Sequence, residues 1–331
     1  MSSPAGNRDL LTLPKAHLHL HLEGGMRPTT LAERAAHYGL EVPTIRGYGS
    51  FTAFADTYLA ACEVLRTHDD LARLCEETIL DGIAAGAAYI EPSFYAPHYR
   101  ERFGGDEEVY EVVLDAFDRY GREHGLAWGL MVASDRTMDP SVAVEQANLA
   151  VRHAERGVVG FGLANDEAIG PPEHYAEAFD IIRSAGLLST PHAGELAGAE
   201  SVRGALDVLG ADRLQHGVRS IEDPDLVRRL ADEQICCDVC PTSNIMLSVF
   251  PELASHPLPL LLDAGVPCSI NGDDPLLFGP GLLEEYELCR SELGLTDEQL
   301  AMAARASIEH SGASDEVKSQ SLAGIDAWLS P

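Results

Sequence analysis

The chain has 331 residues, of which 45% are hydrophobic and 23% are charged, and this is ordinary usage for a globular protein. Its 53 acidic residues outnumber 23 lysines and arginines, giving a net charge of -30. So acidic a surface repels nucleic-acid phosphates and anionic membranes, and we expect neither as a partner.

The N-terminus and the cysteines indicate the cell compartment. Residues 1–15, MSSPAGNRDLLTLPK, lack the apolar segment of a signal peptide, and no uncharged apolar run reaches the ~18 residues of a membrane span. The seven cysteines are scattered, and the CxxC at 237–240 has no second Cys or His pair nearby. We therefore expect a cytoplasmic protein with buried strand cysteines, without a disulfide framework or a zinc knuckle.

The first predicted strand is KAHLHLHL at 15–22, and EGG follows it. Because alternate residues of a strand share a face, His17, His19 and His21 point one way and the leucines point the other. Imidazoles at a strand end, followed by an acid, indicate half of a metal site. The alternative is a half-buried edge strand whose polar face is histidine.

Seven more short apolar runs follow, separated by longer helical patterns. They are AAYIEPSFY (87–95), LAWGLMVAS (126–134), VVGFGLA (158–164), LLSTPHAG (187–194), DRLQHGV (212–218), QICCDVC (234–240) and VPCSING (266–272). Helical patterns at 68–86, 141–157 and 172–186 each end in a glycine suited to a helix C-cap. Repeated strand–helix units without a long linker predict a single (β/α)8 TIM barrel domain over residues 1–331. A doubly wound open sheet is the alternative.

The segment 27–67 is too long for a tight connection between a strand and a helix. It contains the helical patterns PTTLAERAAHYG at 28–39 and FTAFADTYLAACEVL at 51–65. We predict additional helices here, after the first strand and over the barrel mouth.

In a barrel of this kind the catalytic groups lie at the carboxyl ends of the strands. The predicted strands bring histidines and carboxylates to that end: His19, His21 and Glu23 from the first, His192 and Glu195 from the fifth, His216 from the sixth, Asp273 and Asp274 from the eighth. Three imidazoles and one carboxylate suit a catalytic zinc ion, which leaves a position for water and lowers the pKa of that water towards ~7. A fourth histidine and further acids are then available for proton transfer.

Together these motifs resemble the adenosine deaminase family of metal-dependent purine deaminases. PKAHLHLHLEG, HAGE, QHG and DDPLLFG stand in the order and at the intervals of that family, and the likeness runs from about Leu13 to Asp326. The stretch FTAFADTYLAACEVLRTHDDL at 51–71 is similar to the family's helical insertion after the first strand. The resemblance implies hydrolytic deamination of a small-molecule 6-aminopurine.

The resemblance also implies roles for the motif residues. One zinc ion would be bound by His19, His21, His192 and Asp273. Glu195 would protonate purine N1, which relieves the negative charge that addition at C6 builds on the ring. His216 would orient the attacking water and accept its proton, and Asp274 would hydrogen-bond N7. The structural alternatives are a helix-terminal carboxylate for Glu195 and a turn acid before Pro275 for Asp274.

Three further positions bear on which purine is bound. GFGLANDEAIG at 160–170 resembles the family loop that contacts purine N3, with Asn165 where the family has glycine, and asparagine tolerates left-handed backbone better than most residues. Glu23 is typical of relatives that act on free adenine. Arg27 in GGMRPTT would contact a substrate carboxylate or 5'-hydroxyl, or would only flank a helix that begins at Pro28.

Two departures from the family pattern widen the choice of substrate. His17 replaces an acid and is interpreted as a structural group behind the metal ligands. Pro92 and Ser93 stand where many relatives have an arginine-containing strand end. Adenosine and 2'-deoxyadenosine come first in our prediction, with free adenine, 6-aminodeoxyfutalosine or another 5'-substituted adenosine as alternatives.

Two other function classes compete with a purine deaminase. The same barrel could carry a different metal-dependent hydrolase, because fold and metal do not fix the substrate. A catalytically silent purine-binding protein is the other alternative, and retention of the metal ligands together with Glu195 and His216 argues against it. The sequence does not predict an oligomeric state.

Overall fold

The computed structural model describes residues 8–45 and 47–330. Within them ten β-strands pair in parallel. The strands are β1 (Lys15–His21), β2 (Ala87–Phe94), β3 (Ala127–Trp128), β4 (Leu130–Asp135), β5 (Val158–Ala164), β6 (Leu188–Ser189), β7 (His192–Ala193), β8 (Arg213–His216), β9 (Cys236–Val239) and β10 (Cys268–Ile270).

The ten strands correspond to the eight predicted ones, two of which are interrupted. β3 and β4 form the third predicted strand, with Gly129 between them, and β6 and β7 form the fifth, with Thr190 and Pro191 between them. Proline has no N–H to give to β5, so pairing with β5 ends at Thr190, and the carbonyl of Pro191 accepts from the N–H of Gln215 on β8 at 3.1 Å. The predicted strand positions are therefore confirmed, but their continuity is not.

The strands form two arcs that join into a ring. The first arc has the order β1-β2-β4-β5-β6, with β3 beside β2, and the second has the order β10-β9-β8-β7. β6 leads directly into β7. At the other junction the N–H of Asp273 donates to the carbonyl of His19 at 3.1 Å, and the carbonyl of Asp273 accepts from the N–H of His21 at 3.0 Å. β1 is thus bonded on both sides, which gives the predicted (β/α)8 barrel and not the open doubly wound sheet.

Fifteen α-helices lie in the described ranges. They are α1 (Pro28–Tyr38), α2 (Phe51–Cys62), α3 (His68–Ala84), α4 (Arg100–Phe103), α5 (Asp106–His124), α6 (Pro140–Arg152), α7 (Ala176–Ser184), α8 (Ala199–Asp207), α9 (Pro224–Asp232), α10 (Pro241–Met246), α11 (Leu258–Asp263), α12 (Pro275–Phe278), α13 (Leu282–Ser291), α14 (Asp297–Glu309) and α15 (Asp315–Leu329). None of them combines the length and the apolar character needed to cross a membrane.

The predicted helix bounds are confirmed for α3, which ends two residues before Gly86, but α6 ends at Arg152, five residues before Gly157, and α7 begins at Ala176, after a 3-10 turn at Pro172–Tyr175. α1 and α2 are the two additional helices expected after the first strand, and α2 begins at a side-chain cap from Ser50 to the N–H of Ala53. Gly86 follows α3 with a φ of +73°, and a Cβ there would lie 2.1 Å from the carbonyl oxygen of Leu11. Only glycine fits this tight exit from a helix into β2.

Apolar side chains fill the space around the strands, and the seven cysteines are buried there as free thiols. Cys236 and Cys237 lie on β9, as the sequence predicts.

The barrel interior holds a buried ion cluster. Arg213 on β8 donates from Nη2 to Oε2 of Glu91 on β2 at 2.6 Å and from Nε to Oδ2 of Asp238 on β9 at 2.9 Å. All three side chains are buried. Because β2 and β8 are not neighbours in either arc, the first ion pair crosses the interior and holds the two arcs together.

Replacing Arg213 with methionine tests this cross-barrel pair. The Arg213→Met variant leaves two buried carboxylates without a cation, so we expect its free energy of unfolding to fall by ~3–5 kcal/mol. The matched control is Arg305→Met, whose partner Asp326 is solvent-exposed, and a loss of at most ~1 kcal/mol is expected there. Chemical denaturation measures both, and equal small losses would contradict a structural role for the cluster.

Candidate active site

A cavity of about 390 Å³ opens at the carboxyl ends of the strands. Strand-end residues such as Ser93, Asp135 and Ala164 line its wall. One face of α2 covers it with residues at helical spacing: Phe51, Phe54, Ala55, Tyr58 and Leu59. The predicted helical cover over the barrel mouth is therefore present.

The four predicted ligands converge beside this cavity, and three of them, His21, His192 and Asp273, line it. His19, His21, His192 and Asp273 each offer a ligand atom, and these atoms all lie within 4.8 Å of one another. Oδ1 of Asp273 lies 3.2 Å from Nε2 of His19 and 3.4 Å from Nε2 of His21. The Nε2 atoms of His21 and His192 are 3.3 Å apart.

The group has the properties of a metal site. Nδ1 of His19 lies 2.9 Å from the carbonyl oxygen of Asp238, which leaves Nε2 directed at the other ligands. That Nε2 is buried and makes no well-aligned hydrogen bond, although Oδ1 of Asp273 is 3.2 Å away, and such a polar atom is costly unless a further partner satisfies it. Three imidazoles and a carboxylate at this spacing fit a divalent ion such as zinc.

The electrostatics of the group favour the ligand forms that bind a metal. Burial lowers the pKa of His21 to about 4 and lowers that of His192 well below its usual value. Burial alone would raise the pKa of Asp273, but His19, His216 and His21 hold it well below the usual range. The pKa of His19 is raised, because Asp273 attracts its proton more than burial opposes it. A bound cation would displace that proton.

Cys240 lies close enough to take part in a different group. It lies with His19, His216 and Asp273 in a second cluster whose donor atoms are within 4.8 Å of one another. The two clusters share His19 and Asp273, so they are not independent sites. Burial raises the pKa of the Cys240 thiol well above its ordinary value, and a protonated thiol is a poor ligand. The group with His21 and His192 is the better one.

His216 and Glu195 adjoin the four ligands. Nε2 of His216 lies 3.4 Å from Oε1 of Glu195 and 3.9 Å from Oδ2 of Asp273. Burial, together with the negative charge of Asp273, raises the pKa of Glu195 well above its usual value, and burial lowers that of His216. A protonated carboxyl and a neutral imidazole, side by side, form an acid–base pair.

Asp274 lies against the turn that follows β1. It is buried, its Oδ1 has no hydrogen-bond partner, and burial together with Asp273 raises the pKa of its carboxyl well above the usual range. A Cβ on Gly24 would lie 1.9 Å from this oxygen. Glycine at position 24 therefore allows Asp274 to face the cavity.

Glu23 is fixed by two tyrosines. Its Oε2 accepts from the hydroxyl of Tyr58 at 2.9 Å, and its Oε1 accepts from the hydroxyl of Tyr99 at 3.1 Å. Burial raises the pKa of Glu23 to about 7, although both hydrogen bonds act in the opposite direction. The side chain lines the cavity and can both donate and accept a hydrogen bond near neutral pH.

Asn165 also lines the cavity and has a φ of +78°. The left-handed backbone that glycine would adopt is thus retained, and its Nδ2 donates to Oδ2 of Asp135 at 3.1 Å. His17 accepts from the N–H of Gly272 at 3.0 Å through Nε2 and lies outside the metal-binding group, in agreement with the structural interpretation.

The prediction of Arg27 as a substrate contact stays a prediction, and the contacts that Arg27 makes favour the alternative, a residue that flanks a helix. Arg27 lies outside the set of residues that line the cavity. Its Nη2 pairs with Oδ1 of Asp81 on α3 at 2.6 Å, and it directly precedes α1 at Pro28. The flanking role is the one that the structure supports, because the carboxylate of Asp81 already occupies the guanidinium.

Sequence reasoning missed the residues that hold the site from behind. Oδ1 of Asn271 accepts from the N–H groups of Leu18 and His19, at 2.8 and 3.1 Å. Asn244 lies 3.2 Å from Nδ1 of His216 through its Nδ2. Glu167 accepts from backbone amides beside Glu195. The one available signal was proximity, since Asn271 and Glu167 are two residues from Asp273 and Asn165.

Comparison with known proteins agrees with this geometry. Residues 14–328 match the model of the family described as adenosine deaminase. A putative adenosine/adenine deaminase of Streptomyces virginiae is 45% identical over 97% of this chain and 98% of its own. The crystal structure of adenine deaminase from Arthrobacter aurescens is 30% identical, with a TM-score of 0.88 over 96% of this chain and 99% of its own. An amidohydrolase from Burkholderia ambifaria with bound zinc is 26% identical, with a TM-score of 0.86 over 96% of this chain and 92% of its own. The chain therefore belongs to the adenosine deaminase family, hydrolases that act on carbon–nitrogen bonds in amidines.

Proposed function

We propose that this protein is a zinc-dependent enzyme that hydrolyses a 6-aminopurine to the 6-oxopurine and ammonia. The observation that carries the proposal is the cluster of four metal donors, three of which line one cavity together with Glu195 and His216. We also propose that the chain acts as one domain, which the family match over residues 14–328 supports.

Each residue has a task in this reaction. His19, His21, His192 and Asp273 would hold a zinc ion, which would make a nucleophile available at neutral pH by lowering the pKa of a water molecule. His216 orients the attacking water and accepts its proton, because its imidazole is neutral. Glu195 gives its proton to N1 as the C6–O bond forms, and Asp274 hydrogen-bonds N7. The C6–N bond then breaks: the amino group takes up the proton held by His216 and leaves as ammonia, and the hydroxyl proton on C6 returns to Glu195 as the C6 oxo group forms.

The charges of the cavity favour a purine without a phosphate. Among the described residues that line it, none is lysine or arginine, whereas Glu23, Asp135, Glu195 and Asp274 are acids. A 5'-phosphate would meet carboxylates and no partner cation, which disfavours its binding. The substrate class is therefore the free base or the unphosphorylated nucleoside.

Within this class our sequence prediction placed adenosine and 2'-deoxyadenosine first, and two observations favour free adenine. One is the similar Arthrobacter protein, which is an adenine deaminase. The other is Glu23, a buried carboxyl with a pKa of about 7. Such a group can accept from N9–H or donate to N3 of a free base, and a ribose on N9 removes the first of these bonds.

Adenosine is the second candidate, because the cavity extends past the metal group to Thr137 and Met138. This space is larger than a free base fills and is the room that a ribose, or a 5'-substituted ribose, would need.

A substrate panel tests this choice. Ammonia release is measured from adenine, adenosine, 2'-deoxyadenosine, 5'-methylthioadenosine and 6-aminodeoxyfutalosine, and we expect the highest kcat/KM for adenine. The Glu23→Asp variant shortens the side chain and should move the ratio of kcat/KM towards adenosine. No ammonia from any compound would contradict the proposed reaction, and a higher kcat/KM for adenosine would replace adenine by the nucleoside.

Metal analysis tests the ligand group. We expect about one zinc per chain. His192→Ala or Asp273→Ala should lose both metal and activity, because each variant removes one of the four donors that would hold the ion. His174→Ala is the matched control, an exposed histidine outside the cavity, and should keep both. A fully active preparation without metal would rule this mechanism out.

Glu195→Gln separates chemistry from binding. If Glu195 protonates N1, the variant should keep zinc and bind purine while kcat falls by ~10²-fold or more, the usual size of a general-acid contribution. Glu200→Gln makes the same substitution at an exposed position on α8 and should leave kcat unchanged. Loss of metal in Glu195→Gln would instead identify Glu195 as a ligand.

A further inference from the structure

Glu195 lies on a short irregular segment. Residues 194–198 connect β7 to α8, so their amides are not bonded within a strand or a helix. A carboxyl that delivers a proton to one ring atom needs a fixed backbone, because a displacement of about 1 Å can cost a large part of the rate. What fixes this segment therefore bears on the reaction.

A buried carboxylate accepts three of the amides of this segment. Oε2 of Glu167 accepts from the N–H of Gly194 at 3.2 Å and of Ala197 at 2.8 Å, and Oε1 accepts from the N–H of Glu195 at 3.1 Å. The Glu167 side chain is 7% exposed. Glu167 lies on the segment after β5, so a side chain of that segment holds the backbone of the segment after β7.

The carbonyl side of the same segment is held separately. The N–H of Arg219 donates to the carbonyl of Gly194 at 2.8 Å, and its Nη1 donates to the carbonyl of Leu196 at 2.8 Å. Arg136, 3% exposed, donates from Nη2 to the carbonyl of His192. The metal ligand and the acid three residues later are thus anchored through their backbone by different side chains.

We propose that Glu167 is a positioning residue for Glu195. Its carboxylate accepts from the amides of Gly194, Glu195 and Ala197 and so sets where the Glu195 carboxyl lies beside His216. This inference rests on the proposed function, in which Glu195 is the acid. Arg136, by contrast, acts on His192 and so on the metal-binding group.

The Glu167→Gln variant removes this anchor with little change in shape. Glutamine has one oxygen for three amides, and its NH2 group faces an N–H that it cannot accept. In the zinc-loaded enzyme we expect kcat for adenine or adenosine to fall by about 10-fold or more with KM changed by less than about 3-fold. One zinc per chain should be retained. Glu177→Gln, an exposed acid on α7, is the matched control and should keep the wild-type kcat.

A double-mutant cycle separates positioning from a general structural role. If Glu167 acts through Glu195, then adding Glu167→Gln to Glu195→Gln should lower kcat by less than about 2-fold, because the acid is already gone. The full Glu167→Gln penalty repeated in that background, or zinc lost from the single variant, would overturn the inference. If Glu167→Gln does not fold, Glu167→Asp keeps the charge, reaches fewer amides and takes its place in the same cycle.

The two proposals fail in different ways. A wild-type enzyme that is active on a 6-aminopurine, with unchanged kcat in folded Glu167→Gln, overturns this inference alone. A zinc-loaded wild type that releases ammonia from no 6-aminopurine overturns the proposed function and this inference with it.

Discussion

Asp273 joins the fold to the site. Its backbone N–H and carbonyl bond to His19 and His21 and close the barrel. Its carboxylate lies against the Nε2 atoms of the same two histidines. The residue has a φ of +59°, a left-handed conformation that costs energy in a residue other than glycine and persists only where surrounding contacts impose it. The spacing of the metal donors therefore depends on ring closure, and any shift of β1 against β10 would change both together.

The close approach of ionisable groups around Asp273 lowers the pKa of one acid of the cavity and raises the pKa values of others. Asp273 is ionised because three imidazoles surround it, and its charge, with burial, raises the pKa values of Asp274 and Glu195. Neighbouring carboxyls whose pKa values are pushed apart can act as ligand and as acid at one pH. The charge of Asp273 thus helps to keep Glu195, the proposed acid, protonated. The group proposed to bind the metal and the group proposed to transfer the proton are therefore electrostatically linked.

The sequence was informative where function depends on local spacing. The alternation of side chains along a strand predicted that His19 and His21 share one face of β1. The positions of His192, His216 and Asp273 at the ends of predicted strands indicated that they lie at one rim of the barrel. It could not show partners brought together from distant parts of the chain. Asp81 is 54 residues from Arg27, and nothing local to Arg27 distinguishes a paired guanidinium from a substrate contact. Pro191 can be read directly from the sequence, but its effect on strand pairing depends on the neighbouring strands β5 and β8.

The supporting contacts also distinguish residues that hold the site in place from residues of the cavity wall that can be substituted. Asn271, Asp238 and Glu167 hold backbone or ring atoms of the metal and acid–base groups, and each is buried. The opposite wall is α2, which presents side chains and no ligand atom to the cavity. Tyr58 of α2 bonds to Glu23, so a substitution at Tyr58 changes the surroundings of a cavity carboxyl that is not one of the four clustered donors. Substrate range in such a barrel can therefore diverge on the helical cover while the chemistry at the strand ends stays the same.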